Sequence, residues 1–515
     1  MPHDATTPRL SRMLEPHPPE PTALVHDGRH WTYGDVAAAT GALAAEMDQL
    51  AGERVAFMLP TCPEAVLTYL ACFRSGAVAA PLNTRYAPPE VERALRHSRP
   101  RWLIVDESRT DRLDGVDPTV LAGVRVLVTG RGAHRGSGGT GGSGGTGGSG
   151  GAGGRYEPFA PLLASRPGGA PPPPGPDMPA ALFFTSGSGG EPKAVVHSHR
   201  SALAMLTSTS EAMGGIGADD VVQVCDPLVH VSGFIETLST LLAGGKAVLH
   251  DGFDLDDYVS GLLADRPTLI CTHVDVLAQL AREPRAEREW FSSLRGVYTG
   301  GEAVPGALQR DFTALTGLPI GVGYGLTEAI WLTVERDPGT GRGGRIGTPV
   351  GGAQLRTDEE TGELLVRGPM VMSGYWDDEE LTRRSLTDGW LRTGDMGSQD
   401  DDGVWWFRDR IKDLIVRRTS KITPGEVESA IDEHPDVAHS AVVAAADSEE
   451  GQVPVAFVVL RQGSELTADG LTAFLRERIA AYKLPSRIHF LDSLPLTASG
   501  KTSHHDLQET AAGRP

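Results

Sequence analysis

Cysteine is scarce in this chain of 515 residues: Cys62, Cys72, Cys225 and Cys271 are widely spaced, and no two form a CxxC pair. That excludes a disulfide framework and a zinc knuckle, and it suits a reducing compartment. No apolar run approaches the roughly 18 residues that a membrane span needs. The first residues (MPHDATTPRLSRMLEPHPPEP) lack a basic stretch followed by an apolar one, so nothing marks them for secretion. The expectation is a cytoplasmic protein without a membrane span. Positive charge is short as well. A net charge of −20 argues against a nucleic-acid partner, because a sequence-independent grip on phosphates needs a positive surface. A small-molecule substrate is expected instead. Lysine is rarer still, with 6 lysines among 47 basic residues. A lysine that survives such a drift toward arginine marks a place where a compact ammonium is needed and a planar fork does not fit.

Glycine, in contrast, is abundant, with 64 residues unevenly spread. Residues 136–154 (GSGGTGGSGGTGGSGGAGG) are glycine at 13 of 19 positions, and 167–179 (PGGAPPPPGPDMP) is a second breaker. Residues 131–179 are therefore expected to be a Gly/Pro-rich insert without fixed structure. On either side, helical periodicity at 33–50, 63–75 and 199–213 alternates with short apolar runs at 54–59, 101–105 and 180–184, an α/β rhythm. From 410 onward the pattern reads helix, strand, strand, helix. The expected architecture is a large multi-sheet α/β body over 1–409 and a small, mobile α+β domain over 410–515.

The sharpest local feature is FFTSGSGGEPK at 183–193. A buried-type strand runs into small residues, the hydroxyls of Thr185, Ser186 and Ser188, and Lys193, and the glycines there let backbone N–H groups converge on an anion. It is not a Walker A loop, because the GKT at 500–502 has Pro495 where that pattern needs its first glycine. Further along stand WTY (31–33), PLVHVSG (227–233), YTGGEAV (298–304), YGLTE (324–328), GWLRTGD (389–395), DRIKDLI (409–415), TPGEVE (423–428), AAYKLPSRIHF (480–490) and LPLTASGK (494–501). In this order, over nearly the whole chain, they resemble the adenylate-forming superfamily of acyl-CoA synthetases, luciferases and peptide-synthetase adenylation domains.

The resemblance implies an AMP-forming ligase: ATP and an acid give an acyl-adenylate and pyrophosphate, and the acyl group then passes to CoA. It also implies roles. Thr185, Ser186, Gly187, Ser188 and Lys193 hold the β- and γ-phosphates, Thr327 meets the α-phosphate, and Glu328 holds Mg²⁺, a cation that takes oxygen ligands and bridges to substrate phosphates. Tyr324 stacks on adenine, backbone at Gly301, Glu302 and Ala303 meets its edge, and Asp395 and Arg410 hold the ribose. Lys501 bridges the attacking carboxylate and the leaving phosphate oxygens, Lys412 is the hinge of the small domain, and His230 gates the tunnel between acid pocket and thiol. Lys193, Lys412 and Lys501 are half of all the lysines. Trp331, just after Glu328, suggests a short or flat acid. Three departures from the family pattern stand out: Gly189 for a hydroxyl residue, Ala194 for a glycine, and Thr419 where thioester-forming members carry a glycine against which pantetheine packs. The last leaves open a second reading, in which the activated group goes to a carrier-protein thiol or an amine, or in which adenylated nitrite diazotises an aryl amine.

Overall fold

The computed structural model describes residues 9–130, 156–164, 172–186, 192–302, 304–336, 339, 344–418, 420–497 and 502–513. The chain forms two compact units. One comprises Met1–Ser210, Ile216–Asp254 and Met370–Thr382, and the other Glu211–Gly215, Leu255–Pro369 and Arg383–Pro515.

In the first unit an eight-stranded sheet runs in the order Gly374–Tyr375, Pro192–Ser198, Pro179–Ser186, Val78–Pro81, Arg54–Met58, Trp102–Asp106, Arg125–Thr129, Glu157–Pro158. Its central strands are parallel and nearly every residue in them is buried, which is why they read as continuous apolar runs instead of alternating ones. A second group of strands pairs in the order Val221–Val224, Lys246–Leu249, Thr22–His26, Arg29–Thr32.

Two helices show how local signals set the elements. Tyr33–Glu46 starts at a capping box in which Thr32 and Asp35 satisfy each other's backbone N–H groups. Pro63–Ser75 starts with proline at its first turn and ends at Gly76, whose φ of 77° suits a residue without a Cβ. An aromatic cluster ties distant segments together: the Tyr69 ring lies 4.9 Å from Phe57 and 5.0 Å from Phe234, and Phe183 lies 5.1 Å from Phe234. The Tyr69 hydroxyl donates to the Leu228 carbonyl at 2.8 Å, so the ring's polar end is satisfied inside the core.

The expected unstructured insert needs correction over 156–164. Residues 131–155 and 165–171 lie outside the described residues, but Glu157–Pro158 adds an edge strand and Phe159 is 1% exposed. A phenylalanine and a leucine (Leu162) between the glycine and proline tracts supply enough apolar surface to anchor that stretch.

In the second unit the strands Leu269–Cys271, Gly296–Gly300 and Ile320–Leu326 are parallel. The sheet then continues antiparallel through Ala329–Glu335, Arg345–Pro349, Trp405–Arg410 and Trp390–Gln399 to Glu363–Arg367 and Gln354–Thr357. A separate five-stranded sheet pairs Val437–Asp447 with Gly451–Leu460 over their full lengths. Alternate residues feed opposite faces. Val442, Ala456 and Val458 pack under the helices Pro424–Asp432 and Ala468–Arg476, while Val443, Val455 and Phe457 pack against Leu507 and Ala511 of His504–Ala511.

Three carboxylates are drawn into this region. Asp409 accepts from the N–H groups of Arg410 and Gly425, Glu428 from that of Val442, and Asp432 from the Ser440 hydroxyl. Burial, reinforced by neighbouring carboxylates, pushes Glu428 up to about 8 from 4.5 and Asp409 up to about 6; burial pushes Asp432 up to about 7. A carboxylate whose pKa is raised by folding favours the folded state fully while protonated, and that advantage is lost as pH rises through the folded value. The melting temperature should therefore fall between pH 5 and 8, and Glu428→Gln should flatten that decline. Equal slopes in the two proteins would mean that Glu428 titrates at its ordinary value.

Candidate active site

The strands Pro179–Ser186 and Pro192–Ser198 form an antiparallel hairpin in which Thr185 faces Lys193 directly. This register puts a hydroxyl and an ammonium side by side at the mouth of the loop 187–191, which lies outside the described residues along with Gly187 and Ser188. Thr185 and Lys193 are half-buried, and the Lys193 ammonium stands 5.7 Å from the centre of the Tyr375 ring. Tyr375 belongs to the strand paired on the far side of Pro192–Ser198. That cation–π contact steers an otherwise flexible side chain along the hairpin.

His230 precedes the helix Val231–Ala243, and its backbone closes the turn from Pro227 (His230 N–H to Pro227 carbonyl, 2.9 Å). A Cβ at Gly233 would lie 2.5 Å from the Asp226 carbonyl oxygen and 2.6 Å from that of Pro227. Glycine is therefore required for the first helical turn to fold back on the PLVH segment and fix where His230 leaves the chain. The sequence groups His230 with the catalytic residues, and the structure fixes its backbone at the start of this helix.

In the second unit Thr327 and Glu328 are the two turn residues of the hairpin between Ile320–Leu326 and Ala329–Glu335, where Leu326 faces Ala329. The hairpin is irregular. Its register shifts between Tyr324 and Leu326, Gly325 sits where a Cβ would be 3.1 Å from the Ala329 carbonyl, and Trp331 takes a left-handed φ of 29°. The consequence is that both polar tip residues project at the end of a sheet and not within it.

Below that tip lies a three-residue bonded unit. Asp395, 2% exposed, receives the Tyr324 hydroxyl on Oδ2 at 2.8 Å and the Arg410 Nε on Oδ1 at 3.2 Å. Asp395 and Arg410 are cross-strand partners. Burial pushes the Asp395 carboxyl up, Arg410 and the Tyr324 hydroxyl pull it down, and Glu328 and Asp413 push it up again. Glu328 is thus close enough to be felt electrostatically. Burial also pushes the Tyr324 hydroxyl well up, so it stays a donor. The Arg410 side chain is 47% exposed, leaving part of the guanidinium free of the pair's buried interior. Gly300 and Gly323, on neighbouring strands, approach until a Cβ at Gly300 would meet the Gly323 carbonyl at 3.0 Å. Gly301 then turns with φ 87°, which presents backbone at Gly301 and the half-buried Glu302.

The structure therefore brings Tyr324, Asp395 and Arg410 into contact, sets Glu328 within their field, and pairs Thr185 with Lys193. Lys412 is exposed in the turn Ile411–Asp413 directly after Arg410. Lys501, Ala303 and Thr419 lie outside the described residues. Sequence reasoning missed Tyr375 and Thr393. The Thr393 hydroxyl donates to the Leu364 carbonyl at 2.7 Å and accepts the Asp395 N–H at 3.0 Å, setting the turn that aims the carboxylate. Its position two residues before Asp395 in GWLRTGD was the available signal; Tyr375, remote in sequence, offered none.

Two family models match the chain: AMP-binding enzyme over residues 12–376 and AMP-binding enzyme C-terminal domain over 426–501. Indoleacetate–CoA ligase of Aromatoleum aromaticum is 33% identical over 98% of both chains. ATP-bound MatB of Rhodopseudomonas palustris superposes with a TM-score of 0.86 at 27% identity, covering 98% of each chain. The anthranilate CoA ligase AuaEII, solved with anthranoyl-AMP, gives a TM-score of 0.86 at 26% identity, covering 98% of this chain and 97% of its own. The chain belongs to the AMP-binding enzyme family, the adenylate-forming acyl-CoA synthetase superfamily, and is an AMP-forming acid–thiol ligase of the acyl-CoA synthetase type.

Proposed function

We propose that the acid is flat and aromatic and that the thiol is CoA. The observation that carries the reading is Trp331. It is 5% exposed, its ring lies 2.0 Å from where a Cβ at Gly323 would stand, and it meets Tyr298 edge-on at 6.5 Å. A Cβ at Gly296 or Gly321 would lie 2.8 or 2.7 Å from the Tyr298 ring. Two aromatic side chains packed on glycines suit a planar ring. The relatives named for indoleacetate and anthranilate, both aromatic acids, support the same reading.

In the first step the acid's carboxylate attacks the α-phosphorus, a P–O bond forms, and the bond to the pyrophosphate oxygen breaks. In the second the CoA sulfur attacks the acyl carbonyl and AMP departs. We assign Asp395 to accept hydrogen bonds from the ribose hydroxyls while Tyr324 and Arg410 favour its anion, Thr327 to donate to the α-phosphate, Thr185, Ser186, Ser188 and Lys193 to hold the polyphosphate, and Lys501 to bridge attacking and leaving oxygens. His230 lines the thiol's approach. The donor set at the hairpin tip fits Mg²⁺: a single carboxylate, Glu328, and no group of three or more His, Cys, Asp or Glu able to hold a metal among the described residues, as expected for a cation held largely by substrate phosphates. When bound, the cation supplies charge neutralisation at the phosphates. Residues 410–515 are proposed to turn about Lys412 between the two steps, relative to residues 1–409. No helix among the described residues is long and apolar enough to cross a membrane, and all four cysteines are buried and outside any disulfide, which supports a cytoplasmic setting.

Incubation with ATP, CoA and a panel of aromatic and alkyl acids should give AMP, pyrophosphate and the aromatic acyl-CoA thioester in equal amounts by mass spectrometry. AMP without thioester, or preference for long alkyl acids, would overturn the reading. Lys501→Ala should lose at least about a hundredfold in adenylate formation, as expected for removal of a transition-state charge contact, with ATP binding retained; unchanged adenylation would take Lys501 out of the mechanism. Trp331→Ala should shift the kcat/KM ratio toward longer or bulkier acids by about tenfold or more, the scale of a few methylenes in an apolar pocket. An unchanged ratio would show that the indole does not border the acid.

A further inference from the structure

The carboxylate of Asp395 is aimed by a break in the sheet. Along the strands Glu363–Arg367 and Trp390–Gln399, Leu365 faces Arg392 and Glu363 faces Met396. One residue, Leu364, lies between those pairs on the first strand, whereas three, Thr393, Gly394 and Asp395, lie between them on the second. A bulge of this kind bends its strand and re-aims a side chain. It also takes backbone groups out of the ladder, and each freed N–H then needs another acceptor. The Asp395 N–H finds the Thr393 hydroxyl at 3.0 Å. Gly394, with a left-handed φ of 73°, donates its N–H at 2.9 Å to Oε1 of Glu363.

Glu363 is 4% exposed, and both of its oxygens are engaged. Its Oε2 pairs with the Arg392 guanidinium, whose Nη1 also stands 3.9 Å from Asp358. One buried side chain thus grips the segment that leads into Asp395 at two points, the side chain of Arg392 and the backbone of Gly394. A carboxylate withdrawn from water is costly unless it is paired and hydrogen-bonded, so a shifted bulge would deprive Glu363 of a donor as well as Gly394 of its acceptor. The charges felt most by the Asp395 carboxyl are those of Arg410, Glu328 and Asp413. Glu363 reaches it instead through the backbone.

We propose that Glu363 is a positioning residue for nucleotide recognition: by holding the Gly394 N–H it fixes the bulge that sets the Asp395 carboxylate against the ribose hydroxyls. The inference rests on the assignment of Asp395 to the ribose. It makes selectivity for the ribose, and not only affinity, depend on a buried side chain of the neighbouring strand. The acceptor oxygen matters here and the charge does not, so two conservative substitutions should behave in opposite ways. Glu363→Gln keeps an acceptor at the same reach and loses the charge. Glu363→Asp keeps the charge and withdraws the acceptor by one methylene.

The readout is the ratio of dissociation constants for 2′-deoxy-ATP and 3′-deoxy-ATP over ATP, measured by calorimetry on the full chain with Mg²⁺ present. The wild type should favour ATP about tenfold or more, the scale of a charge-assisted hydrogen bond. Glu363→Leu, which removes the acceptor, should cut that preference about fivefold or more, because a displaced carboxylate no longer meets the hydroxyls in line. Glu363→Asp should cut it in the same direction and carries the test if the leucine variant does not fold, while Glu363→Gln should keep most of it. A merely structural role would weaken all three nucleotides alike. An unchanged ratio in well-folded Glu363→Asp would therefore overturn the proposal, and so would a ratio lost equally in the Gln and Asp variants. Asp395→Asn separates the proposal from the assignment beneath it. A full preference for ATP in Asp395→Asn would overturn the ribose assignment and the proposal with it; a reduced preference there beside an intact one in Glu363→Asp would overturn the role of Glu363 alone.

Discussion

The Asp395 carboxylate is almost wholly removed from water, and an isolated charge in that position is costly unless it is paired and hydrogen-bonded. Tyr324 and Arg410 supply those partners, and in doing so they fix three separate stretches of chain. Tyr324 leads into the hairpin tip with Thr327 and Glu328, Arg410 closes the strand that runs into Lys412, and Asp395 sits on the next strand beyond that of Arg410 in the sheet order. The bonded unit has two opposed tendencies. Desolvation and the nearby carboxylates Glu328 and Asp413 favour the neutral acid, while the guanidinium and phenol favour the anion. A ligand whose hydroxyl groups donate to the carboxylate adds to the second set, so binding at this point should be coupled to the electrostatics of the tip and of the turn after Arg410.

Close backbone approaches do the complementary work. Gly233, Gly300 and Gly323 each stand where a Cβ would press on a neighbouring carbonyl or ring; Gly300 and Gly323 adjoin Gly301 and Tyr324, and Gly233 follows His230 by three residues. Their effect is steric rather than conformational, since none of the three has a left-handed φ. The aromatic cluster of Phe57, Tyr69, Phe183 and Phe234 acts at longer range, pinning the strand that carries Thr185 to helices from two other parts of the chain.

Much of this was legible in the sequence where a local pattern has a local cause. The helix expected at 63–75 forms over those residues because proline and glycine punctuate it at both ends, and the strands at 54–58 and 437–447 follow their β-branched and apolar runs. The lysine scarcity pointed to Lys193, which the hairpin register sets opposite Thr185. What was not legible depended on long-range packing. The Gly/Pro composition around 131–179 hid the anchoring role of Phe159, and no periodicity announces that Tyr375 reaches Lys193 across a strand pairing. Trp331 could be read as bulky, but not that a register shift and a left-handed backbone turn its indole onto Gly323.

The account rests on Asp395 as the anchor of the nucleoside, and the most direct measurement is the affinity of Asp395→Asn for ATP. Asparagine keeps the shape and can still accept from Tyr324, but it removes the charge that faces Arg410 and the ribose. The account predicts an ATP dissociation constant raised about tenfold or more, the scale of a lost charge-assisted hydrogen bond, with the melting temperature nearly unchanged. An ATP affinity equal to that of the wild type in a well-folded variant would contradict it.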